Sequence, residues 1–201
     1  MPEAGCGNHP RVGSTEESMT EDTRAMLRSL PSLSGTAPSW DVDDLPGEPV
    51  SLFLDWLDSA RRAGVAQPHA MTLSTVDESG VPDARVLVLK DVDDRGWAFA
   101  GTRSSAKGRQ LEAAPQAALT FWWQPLVRSV RVRGRVVAAP REESVADLRA
   151  RSAVAQLGVD PDDWTLWRVV PARVEFWQGS ADRRHLRVVY TPDGDTWTRQ
   201  S

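Results

Sequence analysis

Ala70-Met71-Thr72-Leu73-Ser74-Thr75-Val76 runs straight into Asp77-Glu78-Ser79-Gly80, and the pattern repeats at once as Arg85–Val92 followed by Asp93-Asp94-Arg95-Gly96. Each unit is a short apolar-rich run closed by a polar turn with glycine last, the signature of strands joined by hairpin loops. Three successive strands follow, over 70–76, 84–92 and 97–101. Working outward, similar runs predict strands near 117–123, 128–138, 172–178 and 186–190, with a last one around Trp197 after the turn Pro192-Asp193-Gly194-Asp195. Many strands in hairpin order with few helices predict a mainly β (α+β) fold. An antiparallel barrel, closed or nearly so, is the arrangement that leaves no exposed edge.

Three helices interrupt the strands. Pro49 to Gly64 carries Val50, Phe53, Leu54, Trp56, Leu57 and Ala60 near a 3, 4 spacing, with proline at the first turn and glycine at the end. A shorter helix runs from a cap at Ser104 or Ser105 to Ala114, and a third from about Glu142 to Leu157 after Pro140. Residues 1–38 are rich in Gly, Ser, Thr, Glu and Pro, with little apolar surface to offset ordering entropy. This predicts a disordered amino-terminal tail and one folded domain over 39–201.

Composition narrows the function. A net charge of −4 and a pI near 5.4 over 201 residues argue against a nucleic-acid partner while leaving room for a local basic pocket. Cys6 is the single cysteine, so one chain holds no disulfide framework and no multi-cysteine metal site, which suits a reducing cytoplasm. No run approaches a membrane span, and the start lacks the apolar core of a signal peptide. The expectation is a cytoplasmic protein with no metal and no membrane association.

Two residues stand out within that frame. Lys90 and Lys107 are the only lysines among 24 basic residues. An ammonium is a compact point charge that meets an anion or an electron-rich ring end-on, which a planar guanidinium does less well. Arg85 and Lys90 end the strand Arg85-Val86-Leu87-Val88-Leu89-Lys90 and, five residues apart, point to opposite faces. Thr102-Arg103-Ser104-Ser105-Ala106-Lys107 offers hydroxyls, a helix amino terminus and an ammonium, a combination that suits a phosphate. Taken alone, the same segment equally suits an ordinary capped surface helix.

These segments, with Pro115-x-Ala117-Ala118-Leu119, Val174-Glu175-Phe176-Trp177-Gln178-Gly179 and Arg183-x-His185-x-Arg187, resemble the pyridoxamine 5'-phosphate oxidases, FMN enzymes with a split β-barrel fold. The resemblance implies that Arg85 and Lys107 hold the FMN phosphate with Ser105 assisting, while Val86 and Leu87 contact the cofactor through their backbone. Lys90 would lie near the flavin ring and the substrate, where a fixed cation stabilises charge on the reduced ring. Trp177 and Arg187 would complete the flavin site from the second subunit of a homodimer. Arg183 and His185 would orient a small-molecule substrate, and Arg151 would grip its phosphate.

The activity so implied is an FMN-dependent oxidase acting on pyridoxamine or pyridoxine 5'-phosphate, within pyridoxine biosynthesis. Hydride passes from an amine- or alcohol-bearing carbon to flavin N5, and oxygen is the final acceptor. The alternatives are the same chemistry on a specialised, phenazine-type metabolite, or a split barrel that binds flavin, haem or a deazaflavin. Several positions depart from the family pattern. Asp147 stands where the family has a tyrosine one turn before the phosphate arginine, and Ala155 where it has a serine. Ala100-Gly101 replaces a Tyr-Thr pair, Ala106 an arginine and Ser129 a glutamine, and the stretch 156–173 is short. These departures predict a reduced hold on a phosphorylated substrate and on FMN.

Overall fold

The computed structural model describes residues 13–201, with side chains from Thr20 onward; Cys6 and the start of the expected tail lie outside the described residues. The chain divides into two compact units, Met1–Ser34 and Gly35–Ser201. In the first, α1 (Gly13–Ser29) is helical where composition predicted no regular structure. Its side chains from Thr20 are exposed, so the intrinsic preference of Glu21, Ala25, Met26, Leu27 and Arg28 for helix, rather than burial, accounts for it.

The second unit is the barrel. α2 (Pro49–Arg62) buries Pro49, Leu52, Phe53, Trp56 and Ala60, a 3, 4 spacing that turns one stripe inward; Leu54, expected on that stripe, is exposed. Gly64 follows at φ +72°, the left-handed conformation that ends the helix. Phe53 and Trp56 meet Trp97, Phe121 and Phe176 at ring-centroid distances of 4.9 to 5.6 Å, so the helix plugs an aromatic core.

Strands β1 (Ala70–Val76), β2 (Pro82–Val88), β3 (Asp91–Asp93) and β4 (Gly96–Thr102) come next, then α3 (Ala106–Ala113) and β5 (Gln116–Trp123). The chain continues through β6 (Arg128–Ala138), α4 (Arg141–Ala150), α5 (Ala153–Gln156), β7 (Trp164–Gln178), β8 (Leu186–Asp193) and β9 (Thr196–Gln200). All pairings are antiparallel, in the order β2-β1-β5-β6-β7-β4-β3, with β8 added on β7 and β9 on β8. The two ends of this path are consecutive in sequence. Leu89 N–H donates to His69 O at 2.9 Å and Lys90 N–H to Ala98 O at 2.8 Å, so the chain itself steps across the gap between the sheet's edges. The mainly β split barrel is the fold expected from sequence.

Three elements differ in detail. The run 84–92 is two strands because the step at Leu89-Lys90 moves it from β1 to β4. The helix expected over 142–157 breaks at Arg151-Ser152, where Ser152 accepts from Ala155 N–H and caps a new short helix. β7 begins at Trp164, eight residues before the expected strand. Its Pro171 reads as a breaker but lies opposite Gly134 where the β6–β7 register shifts, the kind of irregularity that tolerates proline. A side chain at Gly134 would collide with Val170 O, so that bulge requires glycine.

Candidate functional site

A cavity of about 500 Å³ opens where the chain crosses from β2 to β3. Val86, Leu87 and Lys90 enter its wall from β2 and the crossing, Gly101 and Thr102 from the end of β4, and Lys107 from α3. Arg151 reaches it from the break between α4 and α5, and Trp164 from the start of β7. Both lysines of the chain therefore face one space.

At one end stands Lys107, with no acidic partner among the described residues. Its Nζ donates to Ser105 Oγ at 3.0 Å. Burial pushes the ammonium below its ordinary pKa, the charge of Arg85 adds to that shift, and Asp163 opposes it. Ser105 caps α3, donating to Thr102 O at 2.6 Å and accepting from Gly108 N–H at 3.3 Å, so its oxygen positions Lys107 and the helix start. Gly101 is the floor: a Cβ there would lie 2.5 Å from Lys107 Nζ. The loop before α3 is tied down by Asp163, which accepts from Ser104 N–H and Oγ, and these bonds hold its carboxyl below the usual range. Arg85 is not in the cavity lining. Its guanidinium is fixed beside the cavity by Thr75 Oγ1 at 2.5 Å, Gln110 Oε1 at 3.0 Å and Asp83.

At the other end Lys90 Nζ lies 3.7 Å from Asp147 Oδ1, and Trp164 Nε1 donates to Asp147 Oδ2 at 2.9 Å. The Arg151 guanidinium stacks 4.3 Å above the Trp164 ring. A buried cation sets this end. Arg168 on β7 pairs with Asp91 and Asp93 of β3 and Glu143 of α4 at 2.6 to 3.2 Å. Asp91 follows Lys90, and Glu143 lies one turn before Asp147 on the same helix face, so the clamp brings Lys90 and Asp147 together.

A second cluster lies on β5 to β8. The register places Trp122 opposite Ser129, Ser129 opposite Trp177 and Trp177 opposite Arg187, a row across four strands. The Trp177 ring is 5.1 Å from His185 and 6.3 Å from Trp122. His185 Nδ1 accepts from Ser180 N–H at 3.0 Å, and Arg183 holds a left-handed φ of 68° in the exposed loop before β8. None of Trp177, Arg183, His185 and Arg187 lines the cavity. The residues expected to share a site thus form two groups within one chain.

The family model described as pyridoxamine 5'-phosphate oxidase matches residues 57–178, and that of the pyridoxine 5'-phosphate oxidase C-terminal dimerisation region matches 164–201. The chain belongs to the pyridoxamine 5'-phosphate oxidase family. It is 38% identical over 182 residues to a pyridoxine/pyridoxamine 5'-phosphate oxidase of Bordetella petrii, covering 76% of this chain and 87% of that one. The relative of the same name in Thermosynechococcus vestitus is 38% identical over 187 residues, covering 78% and 89%. Among solved structures, PhzG from Burkholderia lata in complex with tetrahydrophenazine-1-carboxylic acid superposes with a TM-score of 0.76 at 27% identity, covering 83% of this chain and 98% of that one.

Members of this oxidase family are FMN-dependent oxidoreductases, and the chain is an enzyme of that kind. Its residues fit the cofactor. Lys107 is a partly desolvated cation that feels the charge of Arg85 and forms no ion pair among the described residues, and a phosphate there offsets both the burial and the repulsion. Sequence reading missed Asp147 as a partner of Lys90, and also Trp164, Asp163, Thr75 and Gln110. The one available signal was Asp162-Asp163-Trp164, an acidic turn running into a large aromatic.

Proposed function

We propose that this protein is a cytoplasmic, homodimeric FMN-dependent oxidase that removes a hydride from an amine- or alcohol-bearing carbon of a small substrate. The observation that carries the reading is that the only two lysines line one cavity, one of them partly desolvated and without an ion pair among the described residues. FMN, when bound, supplies the hydride acceptor at N5 and passes the electrons to oxygen, which leaves as hydrogen peroxide.

The chain's own groups do the rest. Lys107 holds the phosphate from the cavity wall, Arg85 adds its charge from outside the lining, and Ser105 orients Lys107. Val86, 70% exposed, and Leu87 line the cavity beside the cofactor. Lys90 keeps a cation beside the reacting region, which favours negative charge developing there. Arg151 receives an anionic substrate group. Trp177 and Arg187, within the matched dimerisation region, complete the cavity of the partner subunit. Arg183 and His185 come with them: because Ser180 N–H occupies Nδ1, the neutral ring of His185 carries its proton on Nε2 and donates from there.

Pyridoxamine and pyridoxine 5'-phosphate are the first substrates to try, given the names of the relatives. Oxidation of a specialised, phenazine-type metabolite is the second reading, favoured by the likeness to PhzG and by Asp147 at the substrate end. The test is a flavin titration of the purified protein followed by a substrate panel scored by peroxide release. A yellow protein that forms peroxide supports an oxidase. A colourless one that ignores added FMN sinks the proposal and leaves a barrel for another ligand, such as haem or a deazaflavin.

A further inference from the structure

We infer that Asp147 sets the charge of the Lys90–Arg151 end, so that the cavity takes a substrate anchored by one negative charge, a carboxylate, rather than by a phosphate dianion. This deepens the oxidase reading, and rests on it only for which end receives the substrate.

Lys90 and Arg151 both line the cavity and would by themselves make a doubly positive wall. Asp147 stands behind it, 14% exposed at its side chain, and cancels one of those charges. It cannot swing away without losing two contacts: the indole N–H of Trp164 at 2.9 Å and the Lys90 ammonium at 3.7 Å. The Arg168 clamp fixes the helix that carries it. With so little exposure, solvent screens its field weakly.

Arg151 has no ion pair among the described residues, and the carbon of its guanidinium lies over the ring of Trp164. Its fork can meet two oxygens of a ligand, a geometry that carboxylate and phosphate share, so the charge of Asp147 is what separates the two. A second negative charge on the same ligand would meet Lys90 already offset by Asp147 and would be repelled by that carboxylate from behind the wall.

The test keeps one ring and changes only its charge. Wild type, Asp147→Asn and Asp147→Glu, each saturated with FMN, are titrated calorimetrically with pyridoxine, 4-pyridoxate and pyridoxine 5'-phosphate, at about pH 8 where the ester is dianionic. In wild type the carboxylate should bind at least as tightly as the phosphate ester. Asp147→Asn keeps an acceptor for Trp164 and removes the charge. It should tighten the phosphate ester about tenfold, the carboxylate about threefold and the neutral ring hardly at all, in proportion to ligand charge. Asp147→Glu should keep the wild-type order.

A wild-type protein that binds the phosphate ester ten times more tightly than the carboxylate overturns the inference. So do equal changes for all three ligands, a Glu variant that behaves like Asn, and the absence of binding to any variant. Failure of the oxidase reading is seen separately in the flavin titration. If FMN does not bind, the same isotherms on the cofactor-free chain still read the charge at this end.

Discussion

Lys107 and Lys90 face the same cavity, yet their surroundings are opposite. Lys107 has a hydroxyl and a glycine beside it and a like charge nearby, and among the described residues it forms no ion pair, with only the more distant charge of Asp163 in its favour. Lys90 is matched by Asp147, and the pair is anchored to Trp164. An unpaired, half-buried cation is unfavourable unless an anion arrives, whereas a paired one contributes position more than binding. The difference supports the proposed division of labour, with one lysine for holding a phosphate and the other for shaping what lies beside the reacting carbon.

Exchanging the two roles is the most direct way to break that assignment. Lys107→Ala should weaken FMN binding about 10- to 100-fold, since a charge-assisted contact is worth about 1.5 to 3 kcal/mol. Lys90→Ala should change FMN affinity less than Lys107→Ala and lower turnover instead. Flavin fluorescence titration of both variants decides it, and equal losses of affinity would remove the distinction. Arg183→Ala sharpens the same contrast from outside the cavity. It should reduce turnover while leaving a yellow protein, and a colourless variant would place Arg183 with the phosphate group.

A smaller effect is expected at Gly101. Its Cβ would meet the flexible end of Lys107 and no backbone, so Gly101→Ala should fold normally and push the ammonium aside. FMN affinity should fall about threefold to tenfold, short of the loss for removing the charge. An unchanged thermal midpoint with unchanged affinity would show that Lys107 does not need its present position.

What the sequence could reveal of this contrast follows from the range of each interaction. The first hairpins were legible because β1 alternates buried and half-buried side chains and its loop ends in Gly80. The lysines were legible through their rarity. The first half of β7 was not, because Trp164–Val169 is buried on both faces and shows no alternation to read. The Lys90–Asp147 pair was hidden for another reason. It depends on Arg168 joining β3 to α4, residues 75 and 77 positions from Asp93 and Asp91, and no local pattern records that meeting. Asp147 therefore read only as a lost contact, when the structure makes it a partner.

Proton binding gives the finest test of the comparison. Burial, with Arg85 adding to it, places the proton loss of Lys107 in the cofactor-free protein below the usual 10.5. Between the lowered value and 10.5 the unfolded chain binds more protons than the folded one. The empty protein should therefore gain stability as pH rises through this window and lose it again as pH falls. FMN affinity should move the other way, because the phosphate needs the ammonium. From about pH 8 upward, where the phosphate stays dianionic, the dissociation constant should rise with an onset below 10.5. Lys107→Met should abolish both trends, whereas Lys90→Met should abolish neither. A pH dependence that survives in the Lys107 variant would mean that another group supplies the titrating charge, and the contrast between the two lysines would fail.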